Sequence, residues 1–139
     1  MPAPRELIRR VPLFQGLDDK HIDTLSRTFS DRTFPAGRVI TSEGGAGVGF
    51  FVIEEGEATV TVGGEERRTL RSGDYFGEVA LIDDGARSAT ITAKTDVKAH
   101  GLTSWQFRPL VEENASIAWP LLKSMAQRLR ELDARQAES

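Results

Sequence analysis

Cysteine is absent from the 139 residues. That excludes a disulfide framework, a thiol nucleophile and a thiolate metal site. Histidine occurs only twice, at His21 and His100. Two histidines so far apart in the chain do not supply the clustered ligands of a cupin-like metal enzyme. No serine, histidine and acid are spaced to suggest a hydrolase, although order in the chain does not decide such a geometry. No apolar run approaches the roughly 18–20 residues of a membrane-spanning helix. The start, Met1-Pro2-Ala3-Pro4, lacks the basic-then-apolar form of a secretory signal, so a cytoplasmic location is expected. An excess of positive charge is missing too: the formal net charge is −3. This argues against non-specific binding of nucleic acid.

What is present suits one soluble domain with a true core, at 39% hydrophobic and 28% charged residues. Residues 1–30 read as a helical lead-in. Leu7, Ile8 and Val11 can share a face, and Pro12 ends that piece. Leu13, Phe14 and Leu17 form a small apolar cluster. Asp18 is placed to cap a helix in which Ile22, Leu25 and Phe29 recur at helical spacing.

From Asp31 the period shortens to two and glycine punctuates it. Thr33–Phe34, Val39–Thr41, Phe50–Ile53, Ala58–Val62, Arg67–Leu70, Tyr75–Phe76, Ser88–Ala93 and Val97–Leu102 read as short strands. Gly63-Gly64 is a hairpin signal between two of them. About eight such strands predict an antiparallel β-roll or jelly roll over residues 31–103, mainly β with flanking helices. Residues 104–139 return to helical spacing. Ser104 is the expected cap of the first C-terminal helix, and Pro109 is expected in its first turn. Asn114 to Ser116 separates it from a last helix with Pro120 near its start. There Leu122, Met125, Leu129 and Leu132 form one apolar stripe. It reads either as a helix packed on the roll or as a lid or dimer seam. The chain is expected to fray over Gln136 to Ser139. Trp105 and Trp119 are expected in core or hinge packing.

The stretch from Gly73 to Ile91 carries the chemistry. Tyr75-Phe76 ends a strand, and Gly77 lets the backbone turn and approach a ligand closely. Glu78 to Ile82 can form one helical turn whose first N–H groups are open to an anion. Asp83-Asp84-Gly85 closes the turn as a solvated loop rather than a metal site. Arg87 then offers a planar fork of donors to a phosphate. Glu78 would repel that phosphate but is a good acceptor for a ribose hydroxyl. A ribose acceptor, free amides and an arginine together describe a site for a nucleotide with a compact phosphate.

Phe76-Gly77-Glu78-Val79-Ala80-Leu81, followed by Arg87-Ser88-Ala89, resembles the phosphate-binding cassette of cyclic nucleotide-binding domains. Pro35-Ala36-Gly37, Glu43-Gly44, Phe51-Val52-Ile53-Glu54-Glu55-Gly56-Glu57 and Leu70-Arg71-Ser72-Gly73-Asp74 extend the resemblance over nearly the whole chain. The glycine-rich loop from Gly44 to Gly49 departs from it, lacking the acidic residues often found there.

The resemblance implies a regulatory domain, not an enzyme, that binds cyclic AMP reversibly. Cyclic GMP is the alternative ligand, and a ligand-free interaction module the alternative function. It implies a cassette over residues 76–89, with Glu78 on the ribose, Arg87 on the cyclic phosphate, and backbone amides at Ala80 and Ser88 completing the cradle. The last helix would move over the ligand and pass the signal on, with Arg128, Leu132 and Arg135 as candidates to approach the base. No separate cofactor or metal is implied. No DNA-binding, kinase, channel or cyclase sequence is visible. The expected partner is therefore another protein, a missing effector domain or a second copy of the chain, with no DNA or membrane contact.

Overall fold

A computed structural model describes residues 3–42, 44, 49–77, 81–82 and 89–138. The lead-in forms α1 (Arg5–Arg9), a 3-10 turn at Pro12–Phe14, and α2 (Asp19–Thr28). Asp18 caps α2 by accepting from the His21 N–H at 3.0 Å, satisfying a donor that the helix cannot. Ile8, Val11, Phe14, Ile22 and Leu25 are buried, as their spacing predicts.

Eight strands follow among the described residues: β1 (Ser30–Phe34), β2 (Val39–Thr41), β3 (Phe50–Glu55), β4 (Ala58–Val62), β5 (Glu65–Leu70), β6 (Tyr75–Phe76), β7 (Thr90–Ala93) and β8 (Val97–Leu102). They build two antiparallel four-stranded sheets, ordered β1-β8-β3-β6 and β2-β7-β4-β5. The roll is the expected one. β5 starts at Glu65, directly after the Gly63-Gly64 turn, two residues earlier than its sequence suggests. Both turn glycines have positive φ, 60° and 79°, a conformation that costs glycine little.

The two faces of β3 explain its apolar run. Ile53 joins Val60, Leu70, Phe76, Ile91 and Val97 in a core between the sheets. Phe50 and Val52 point the other way, into a second core shared with the helices. Phe14 holds that second core together, meeting Phe50 edge-on at 5.9 Å and Phe107 at 6.2 Å.

The C-terminal helices are α3 (Ser104–Glu113) and α4 (Ala115–Glu138), with Asn114 alone between them. Thr103, not Ser104, is the cap. Its hydroxyl accepts from the Gln106 N–H at 3.3 Å, and the Gln106 side chain accepts from the Thr103 N–H at 3.0 Å. This reciprocal pairing needs the acceptor three residues on, which Thr103 has in Gln106. Pro109 lies inside α3 rather than in its first turn. Trp105 and Trp119 are 64% and 68% exposed, so neither is core packing. α4 does not fray at Gln136 but continues to Glu138.

The apolar stripe of α4 is also corrected. Leu122, Leu129 and Leu132 are more than half exposed, and of the four only Met125 packs on the helical core. Among the described residues of this helix, Ile117 and Leu121 are the buried ones, one turn apart. Among the described residues, no helix is long and apolar enough to cross a membrane.

Candidate functional site

The cassette motif begins at the end of β6, in one sheet, and ends at the start of β7, in the other. β6 pairs with β3, setting Phe76 opposite Phe51 and Tyr75 opposite Val52. Successive side chains of a strand point to opposite faces. Phe76 therefore enters the inter-sheet core, stacking on Phe51 with ring centroids 5.3 Å apart. Tyr75 turns toward the helices and meets Phe50 at 6.1 Å. Gly77 follows with φ of 84°, which a side chain with a Cβ would oppose.

Leu81 is 3% exposed and belongs to the helical core, whereas Ile82 faces solvent. Ala89 packs against the inter-sheet core, and Thr90 starts β7 beside Thr61 of β4. The structure thus fixes Phe76, Gly77, Leu81 and Ala89 at the ends and middle of the cassette. Glu78, Val79, Ala80, Arg87 and Ser88 lie outside the described residues, as do Asp83, Asp84 and Gly85.

Arg128, Leu132 and Arg135 line a cleft of about 820 Å³ between α4, the Pro12–Gly16 segment and Tyr75. The three candidates for the base thus share one surface with the residue that precedes Phe76.

Neither histidine stands alone. His100 is 3% exposed on β8. Its Nε2 lies 3.0 Å from Glu54 Oε1, and its Nδ1 lies 3.1 Å from Asp31 Oδ1 without hydrogen-bond alignment. Lys98 completes the group, 2.8 Å from Glu54 Oε2. The hydrogen bond from Lys98, then that with His100, holds the Glu54 carboxyl below its ordinary range. The same bond raises Lys98. The two ring nitrogens of His100 face different carboxylates. Among the described residues no cluster of histidine and acids is arranged to hold a metal ion. His21 joins Asp18 to Ser116, a contact across 95 residues that spacing could not reveal.

Residues 31–114 match the family model described as the cyclic nucleotide-binding domain. The chain belongs to the cyclic nucleotide-binding domain family. This family is regulatory rather than catalytic. A cAMP-dependent protein kinase regulatory subunit from Yarrowia lipolytica is 39% identical over 106 residues, covering 75% of this chain and 28% of that protein. The cyclic AMP receptor protein of Thermus thermophilus is 32% identical over 127 residues, covering 88% and 59%. The chain thus spans less than two thirds of these relatives. The N-terminal domain of a transcriptional regulator from Streptomyces coelicolor superimposes with a TM-score of 0.86 at 30% identity, covering 94% of each chain. As a cyclic nucleotide-binding domain, the chain has its roll, lead-in and C-terminal helices where this neighbour has them. The match extends well beyond the cassette motif.

Proposed function

We propose that the chain is a single sensor domain, residues 1–139, that binds cyclic AMP reversibly as an effector and repositions α4. One observation carries this reading: Phe-Gly-Glu-Val-Ala-Leu and Arg-Ser-Ala sit at cassette spacing between β6 and β7 of a cyclic nucleotide-binding domain. Glu78 accepts from the ribose 2′-hydroxyl. Arg87 pairs with the cyclic phosphate, and the backbone amides at Ala80 and Ser88 share its charge. Phe76, Gly77, Val79, Leu81 and Ala89 shape the cassette around these groups.

Cyclic AMP is favoured over cyclic GMP by the relatives named for cyclic AMP. A cGMP-dependent protein kinase from Toxoplasma gondii, 39% identical over 90 residues, supports cyclic GMP as the second reading. The ligand shifts α4 only by preferring one of its positions. The exposed Leu122, Leu129 and Leu132 favour an output through protein contact, to a second copy or an effector domain. The proposed location is cytoplasmic.

Calorimetric titration with cyclic AMP, cyclic GMP and linear 5′-AMP tests the proposal. Micromolar or tighter binding of a cyclic form, with 5′-AMP much weaker, is expected. Absence of binding by all three would leave an interaction module that kept the fold.

A further inference from the structure

The cleft beside α4 follows that helix for most of its length. Trp119, Lys123, Gln127, Glu131 and Arg135 line it at intervals of four residues, and residues four apart lie on one face of a helix. At 1.5 Å per residue this row is about 24 Å long. Pro120, Ser124, Arg128 and Leu132 form a second row beside it. Pro12, Gln15, Gly16 and Tyr75 make the opposite wall. The walls meet at Gly16, where an added Cβ would lie 3.3 Å from Pro120 Cβ. Tyr75 packs toward the helices while Phe76 packs in the inter-sheet core. The cleft therefore lies on the other side of β6 from the interior of the roll.

Charge and length define what fits. Lys123, Arg128 and Arg135 set three cations on the lining against one acid, Glu131, in a chain of net charge −3. Lys123, Glu131 and Arg135 are exposed and make no ion pair among the described residues. Trp119 and Leu132, 68% and 52% exposed, add apolar surface toward the two ends. A row of this length outreaches a small molecule and matches about seven residues of extended peptide, at about 3.3 Å each. A nucleic acid strand carries unbroken negative charge, which Glu131 within the row repels. A peptide can set a neutral residue opposite Glu131.

We propose that this cleft is a docking groove for an acidic peptide segment of a partner protein. Carboxylates of the segment reach Lys123 and Arg135, and an apolar side chain lies on Trp119. α4 is one wall of the groove, so a shift of α4 changes its width. Peptide and cyclic AMP then alter each other's affinity by the same factor. That linkage rests on the sensor reading, whereas the docking itself does not.

Fluorescence anisotropy with the full chain and two fluorescein-labelled synthetic peptides of about 16 residues, the helical span of the row, tests the proposal. Both carry phenylalanine and leucine anchors among glutamines, with several glutamates in one and as many lysines in the other. The glutamate peptide is expected to bind at least about tenfold tighter than the lysine peptide, and to weaken with added salt. Lys123→Glu should weaken it at least about threefold, the scale of one exposed ion pair. Glu131→Lys should tighten it by a similar factor, and Trp119→Ala should weaken it. All three positions are exposed and none lies in the cassette. No binding of the glutamate peptide, equal binding of the two peptides, or an affinity indifferent to both charge reversals overturns the proposal. A single-stranded oligonucleotide that binds tighter than the glutamate peptide at the same salt overturns it in favour of nucleic acid. Repeating the titration in saturating cyclic AMP reads the linkage. Unchanged peptide affinity, where calorimetry shows cyclic AMP bound, overturns the linkage. Calorimetry on the same samples reports the sensor reading by itself.

Discussion

Phe76 and Leu81 lie in one cassette yet are buried in different cores. Phe76 is in the layer between the sheets, and Leu81 is beneath the helices. The cassette is anchored on both sides of a single wall, so strain on α3 or α4 can reach it through Leu81. Leu81→Ala removes a side chain that is 3% exposed. It should cost about 2–5 kcal/mol of stability and weaken cyclic AMP binding along with it. Urea denaturation and calorimetry on the same protein check both, and unchanged stability would contradict the burial.

The charged groups of the cassette are separable in the same assay. Arg87→Ala should weaken cyclic AMP binding by about 1.5–3 kcal/mol, the scale of a charged hydrogen bond. Glu78→Ala should instead erase discrimination between cyclic AMP and its 2′-deoxy analogue. If wild type treats the two sugars alike, the ribose role of Glu78 is wrong.

Gly56 turns β3 into β4 with φ of 99°, and a Cβ there would lie 2.2 Å from the Asp96 carbonyl oxygen. The neighbouring backbone is tied to the β7–β8 turn, with Lys94 N–H donating to Glu57 O at 2.8 Å and Glu57 N–H to Thr95 Oγ1 at 2.9 Å. Gly56→Ala therefore meets both a strained conformation and a backbone clash. It should cost more than the roughly 1–3 kcal/mol of backbone strain alone. Thermal denaturation beside Gly64→Ala, which has positive φ but open space, separates the two effects.

The contrast between these glycines shows what sequence conveys. Alternation and glycine punctuation locate strands because both are local, and the roll was legible from them. The Thr103–Gln106 pair was legible as well, but Ser104 next to it offers the same hydroxyl and drew the assignment. The cassette was readable as a motif, whereas its anchoring in two cores depends on which side of β3 each residue reaches. His100 between Asp31 and Glu54, and His21 against Ser116, arise from contacts distant in the chain. No local period encodes them.

Glu54 predicts a pH effect. Its carboxyl is held below the ordinary glutamate value of about 4.5 by the hydrogen bonds with Lys98 and His100. A depressed carboxylate contributes stability that is complete above the unfolded value and lost as pH falls through the folded one. The stability gap between wild type and Glu54→Gln should be constant near neutrality and close below about pH 4.5. Lys98 runs the other way: its raised value makes its share fade only in alkali, above about 10.5. Denaturant titrations from acid to neutral pH measure the gap, and a gap independent of pH would refute the assignment.

α4 provides the sharpest test of packing, because two overlapping stripes compete for the body. Leu122, Met125, Leu129 and Leu132 follow helical spacing in the sequence, but the helix is seated through Ile117 and Leu121 with Met125 at the margin. Both stripes are apolar near the start of the helix, so periodicity alone could not choose between them. Ile117 is fully buried, and Ile117→Ala should cost about 2–5 kcal/mol. Leu129 is 63% exposed, and Leu129→Lys should change stability by only about 0.5 kcal/mol. Thermal denaturation at two protein concentrations distinguishes the outcomes. A large, concentration-dependent loss in Leu129→Lys would mean that the stripe is buried against another copy of the chain. A large loss independent of concentration would mean that α4 is rotated from the seating described.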